Sequence, residues 1–155
     1  MDNREWLLAS LNYDLWANLE SFRSVEAAIN APERALAVIA HIPAAERIWL
    51  ERARKTGKTG TAWPGWTLEE TEREIRAAAR GWRELLMSAD LASKIPYANS
   101  KGERFENTVE EAVTHMFFHA AHHRGQIATL LRASGSIPAQ TDYIHYVRAV
   151  RPAAA

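Results

Sequence analysis

Apolar positions recur at helical spacing in four stretches of the chain. In the first, Leu8, Leu11, Leu15, Leu19 and Phe22 follow one another at intervals of three and four, the signature of one buried face on an amphipathic helix. That pattern predicts a helix over roughly residues 3–28. A second pattern follows "INAPER", where Pro32 suits a first helical turn. It runs through "RALAVIAHIPAAERIWLERARK" and ends before Gly57. The third begins near Thr67, whose hydroxyl can form a capping box with Glu70, places Leu68, Ile75 and Trp82 on one stripe, and closes near Asp90. The fourth opens with two overlapping capping signals, Asn107 with Glu110 and Thr108 with Glu111. It reaches about Ser134, with Gly135 as its stop.

Two breaks in the helical pattern carry information of their own. "TGKTGTAWPGW", between the second and third helices, is dense in Gly, Thr and Pro and reads as a loop. Such a length is unusual inside a bundle and predicts a crossover or a lid. Before the fourth helix, "KIPYANSKGERFEN" alternates in the manner of a short β-hairpin with its turn at "NSKG". Four long amphipathic helices with one small hairpin cannot build a core on a sheet, so the apolar stripes must face one another. The expected fold is an all-α four-helix bundle in one domain over residues 1–155. The helix order is not fixed by the pattern.

Composition narrows the function classes. Lys plus Arg and Asp plus Glu each number 19, so no global field draws the chain to nucleic acid or to an anionic membrane. The chain has no cysteine, which removes disulfides, thiolate metal sites and a protein thiol nucleophile. Any metal must be held by nitrogen and oxygen. The opening "MDNREWLLASLNYDLW" lacks the apolar run of a secretory signal, and no segment has the length and apolarity of a membrane span. These features lead to the expectation of a cytoplasmic protein, with "RPAAA" as a frayed end.

Four of the six histidines lie in "THMFFHAAHHRGQIATLLR" on the fourth helix. Each helical residue turns about 100°, and Val109, Val113, Met116, Ala120, Ile127 and Leu130 define the buried stripe. From its middle, His123 lies roughly 35° away, His119 roughly 75°, His115 about 115° and His122 about 135°. His119 and His123, one turn apart and nearest the core, form the pair suited to chelating one ion. Two imidazoles inside an apolar bundle are costly unless their nitrogens find partners, and metal coordination meets that need. His115 and His122 are expected at the surface or behind the ligands. His41 is the only histidine on the first three helices, on the row Ala37, His41, Ala45 and Ile48, where small neighbours leave space beside its ring. Pro43 frees the Ile39 carbonyl and can bend the helix beside His41, or the helix starts near Pro43 and His41 belongs to the preceding turn. His145, in "TDYIHYVR" beyond the fourth helix, has no partner at helical spacing and is read as a surface or packing residue.

"NYDLWANL", "AHIPAAERIWL" and "HAAHHRGQIATLLR", together with the hairpin "IPYANSKGERF" and the ending "PAQTDYIHY", resemble the DinB/YfiT-like superfamily over nearly the whole chain. The resemblance implies an up-down-down-up bundle in which three histidines, one on the second helix and an HxxxH pair on the fourth, hold a divalent metal. Position by position these are His41, His119 and His123. Pro43 departs from the uninterrupted helix more usual after the first ligand. The resemblance also implies a homodimer, with the outward Phe118 at such a contact or under a loop.

Three neutral imidazoles leave an ion such as Zn²⁺ or Ni²⁺, or alternatively Mn or Fe, with at least one open position. That ion can acidify a water or activate an external thiolate. Members of the resembled superfamily transfer low-molecular-weight thiols or isomerise maleylpyruvate with a thiol cofactor, and many have no assigned reaction. The expected function is therefore metal-dependent thiol transfer to, or hydrolysis of, a small electrophile. A non-catalytic or stress-related bundle with a structural ion is the alternative, and a metal-free helical interaction module the third reading. No spacing places a general base: Glu46, Asp14 and Tyr13 read as a surface salt-bridge residue and ordinary helix-face positions. Arg124 is expected to pair with an acid on another helix and Gln126 to lie behind the ligands, while Trp16, Trp49 and Trp82 read as core.

Overall fold

The computed structural model describes residues 1–150; the tail "RPAAA" lies outside them. Four long helices, α1 (Asn3–Glu26), α2 (Glu33–Ala53), α3 (Leu68–Ser88) and α4 (Val109–Ala133), enclose the core, and strands β1 (Lys94–Ala98) and β2 (Arg104–Thr108) precede α4. The strands pair antiparallel with Lys94 opposite Thr108 and Ala98 opposite Arg104. Among the described residues no helix is long and apolar enough to cross a membrane.

Helix starts follow their caps. Asp2, Thr67 and Thr108 each accept from the backbone N–H three residues on, and Glu5, Glu70 and Glu111 return the bond to the cap. Of the two signals before α4, Thr108 is the cap used; Asn107 instead donates to Glu111. Gly135 ends α4 at φ +79°, a conformation a side chain disfavours. Pro43 lies inside α2, which neither stops nor starts there.

Side-chain contacts set the helix directions. Arg4 at the start of α1 donates to the Leu86 and Ala89 carbonyls at the end of α3, so these two run antiparallel. Asn3 meets Glu110 and Asp14 meets Arg124, making α1 and α4 parallel. Arg47 pairs with Glu74 and Arg54 with Glu84, making α2 and α3 parallel. Trp49 packs on His115 while His41 reaches His119, so α2 and α4 are antiparallel. The bundle is up-down-down-up, and the loop of residues 54–67 is the crossover that two parallel helices require.

The core has two apolar ends. Leu7, Leu11, Leu50, Trp82, Leu86, Ile95, Val113 and Met116 fill one, and Phe22, Val25, Val38, Ile39, Ile42, Ile75, Ile127 and Leu131 the other. On α1 and α2, buried Asp14, Asn18 and Glu46 fall between them. At the first end Gly81 lets α3 approach α2, since an added Cβ would stand 2.5 Å from Leu50 Cδ2. Gly81→Val is expected to destabilise the fold by about 1–3 kcal/mol through overpacking, read as a lower midpoint in urea with unchanged slope.

Two features depart from the sequence expectation. A fifth helix, α5 (Tyr143–Val150), follows α4 and carries His145. It packs on α1 through Tyr143 and Tyr146, which contact Tyr13, and Tyr13 donates to the Thr141 carbonyl at 2.7 Å. The buried face of α1 is also broader than the apolar stripe: Leu11, Leu19 and Phe22 are buried and Leu8 and Leu15 half-buried, while Leu7, Asp14, Asn18, Ser21 and Val25 are buried as well. An apolar pattern alone passes over the three polar residues buried on α1, Asp14, Asn18 and Ser21.

Candidate metal centre

The antiparallel pairing of α2 and α4 brings His41, His119 and His123 together. Their exposure follows the angular order along α4: His123 is buried, His119 half-buried, and His115 and His122 exposed. His119 Nε2 stands 3.2 Å from His41 Nε2 and 3.1 Å from His123 Nε2. His145 is not part of the group.

The far side of two rings is fixed. His41 Nδ1 lies 2.5 Å from the Ala62 carbonyl, which can only accept, so Nδ1 carries the proton and Nε2 presents a lone pair. His123 Nδ1 donates to Gln126 Oε1 at 2.8 Å, and the Gln126 amide donates to His122 Nε2 at 3.1 Å. Gln126 thus orients the His123 ring, as expected for a residue behind a ligand.

Burial lowers the pKa of all three imidazoles. His119 falls furthest, to about 4, through burial first and then the neighbouring imidazoles His123, His41, His115 and His122. Burial is also the largest cause for His41 and His123, and the Arg34 charge lowers both further. Near neutral pH the three rings are therefore uncharged. One proton on His119 Nε2 can bridge to only one neighbour, leaving the other pair with lone pair facing lone pair. A cation among the three satisfies all of them. Nitrogens at about 2.0–2.1 Å from a tetrahedral Zn²⁺ stand roughly 3.3 Å apart, close to the spacing observed. The donor set fits a divalent ion, and the three histidines form a group that can hold one.

The crossover loop covers this group. The Trp63 ring stacks on His41 with centroids 3.9 Å apart and planes 8° from parallel, and Arg34 lies over Trp63 at 4.5 Å. No local spacing assigns Trp63 a role, because only the path of the loop brings it to His41. The three tryptophans read as core differ among themselves. Trp82 is fully buried and donates to the Glu46 carbonyl at 3.0 Å. Trp16 and Trp49 are only half-buried, Trp16 against Tyr13 and Tyr146 and Trp49 between Tyr97 and His115.

Next to His123, Arg124 turns into the bundle and donates to Asp14 at 2.8 Å and to Asn18 at 2.6 Å, the cross-helix pairing expected of it. Asn18 donates to Asp14 at 2.9 Å and to Glu46 at 3.0 Å. Glu46 is not the surface salt-bridge residue its sequence context suggested, since it is 2% exposed. Burial, then the Asp14 charge, hold its carboxyl protonated well above the usual range, and burial raises Asp14 against the opposing pull of Arg124. The Arg124 guanidinium thus sits against Asp14, and Glu46 is the acid of the cluster whose proton is held more strongly. The two acids are committed to internal bonds.

No curated protein is similar enough to count as a relative. The family model described as the DinB family matches residues 12–153, a span that takes in His41, His119, His123, the crossover loop and the hairpin. The chain belongs to the DinB family.

Proposed function

We propose that this protein holds a divalent ion, Zn²⁺ or Ni²⁺ in preference to Mn or Fe, on His41, His119 and His123, and acts with it on a small electrophile by thiol transfer or hydrolysis. The observation that carries this reading is the convergence of three uncharged imidazoles whose Nε2 lone pairs have no other acceptable arrangement. When bound, such an ion supplies Lewis acidity and an open position for an external thiolate or water.

The chain's own residues prepare the rest. Ala62 and Gln126 hold two rings in the tautomer that presents Nε2. Trp63 keeps water from the outer face of His41. Half-burial keeps His119 free of a competing proton. The ligands lie on two helices, so an ion that merely ties α2 to α4 is the second reading.

Elemental analysis of the purified protein is expected to find close to one equivalent of a first-row divalent metal per chain. Assays of thiol consumption and of hydrolysis with a panel of electrophiles are expected to show turnover that disappears on chelation and returns with metal. Metal without turnover in either assay would leave the structural reading; absence of metal would end both.

A further inference from the structure

Arg34, in the first turn of α2, is held in a stack. Its guanidinium lies 4.5 Å over Trp63, whose ring is stacked on His41. It pairs with no carboxylate among the described residues. It also lines an open surface depression of about 480 Å³ with Val38, His122, Gly125, Gln126, Thr129 and Leu130. Gln126 connects this pocket to the histidine group through its bond to His123. No acid appears in the lining, and Arg34 is close enough for its charge to act on His41 and His123.

An arginine packed on an aromatic face keeps its in-plane N–H donors free, and those donors match a carboxylate or phosphate in two parallel bonds. Arg34 is exposed and has no carboxylate partner among the described residues, whereas the buried Arg124 is matched by Asp14. We infer that Arg34 is a specificity-determining residue that binds the anionic group, a carboxylate or a phosphate, of a small organic substrate whose reacting end faces the histidine group. His122 and Gln126, bonded to one another, border the same pocket. This inference rests on the proposed metal site for the direction of the substrate, but not for the anion contact itself.

The test uses the full chain with zinc added, and in parallel without it, followed by the ¹⁵N–¹H resonance of the Trp63 indole, assigned with Trp63→Phe. Succinate and methyl phosphate are the anionic probes and succinamide the neutral one. Both anions, or one of them if the site prefers carboxylate or phosphate, are expected to shift the resonance saturably, and succinamide is not. Arg34→Gln is expected to weaken anion binding about tenfold or more, and Arg34→Lys, which keeps the charge but not the fork, to weaken it less. Equal affinity in wild type and Arg34→Gln, or equal response to succinamide, overturns the inference. The zinc content of the same samples reports on the metal reading separately, so loss of one does not imply loss of the other.

Discussion

Replacing His119 with alanine is expected to reduce metal content from close to one equivalent to near background, a loss of affinity well beyond about 100-fold. His119 is the nitrogen common to both close contacts, so its removal leaves His41 and His123 as a two-ligand remnant. Gln126→Ala provides the scale. It removes only the partner that orients His123, a class of change that costs roughly 10–100-fold in affinity. Dialysis against a competing chelator should therefore rank wild type above Gln126→Ala and Gln126→Ala above His119→Ala. Equal metal content in all three would remove the site. A pH arm gives an independent check on the metal-free protein. The folded pKa of His119 is lowered from 6.5 to about 4, so between these values the unfolded chain holds a proton that the folded chain lacks. Stability from this group is present above the unfolded pKa and declines as pH falls through the window. His119→Ala is expected to flatten that decline relative to wild type in urea titrations.

The second large effect is in the buried polar cluster. Arg124→Met leaves Asp14 without its cation and beside a second acid, and breaking a buried pair from one side costs about 3–5 kcal/mol. That is a large part of the roughly 5–15 kcal/mol that holds a domain folded. Glu46→Gln should act differently. Glu46 is held neutral, accepts from Asn18 and hydrogen-bonds Asp14, and an amide can accept and donate in the same way. Its cost is expected to stay below about 1 kcal/mol near pH 5. The sign with pH then follows. Because the folded pKa is raised above its ordinary 4.5, Glu46 favours folding below the unfolded pKa and loses that contribution as pH rises. Glu46→Gln should therefore gain stability relative to wild type between pH 5 and pH 8. A difference that stays constant with pH would show that Glu46 is charged in the folded state.

The legibility of this molecule divides along physical lines. Helix limits and the exposure order of the α4 histidines were readable because capping boxes and the 100° step are local properties. His41 was found as a lone histidine on a row of small residues, although Pro43 left its helical setting open. The buried stripe of α1 was legible in part: Leu11, Leu19 and Phe22 are buried, but hydrophobicity alone ignores polar residues that satisfy one another. Asp14 and Asn18, four apart and in phase with Leu7 and Leu11, are the signal that corrects it. α5 escaped because it is short and buries no residue fully. Trp63 was out of reach, since contacts made by a loop across a bundle depend on the packed helices beneath it.

The crossover has a consequence for how this protein can change over time. The three histidines sit on α2 and α4, whereas the cover over His41 and the platform under Arg34 come from residues 54–67. Substitutions, insertions or deletions in that connection can reshape the entrance while the ligand-bearing helices keep their register. Because Ala62 in the same connection accepts from His41 Nδ1, changes there alter the cover over the histidine group and the setting of His41 together, whereas the pocket beside Arg34 is lined by α2 and α4 alone.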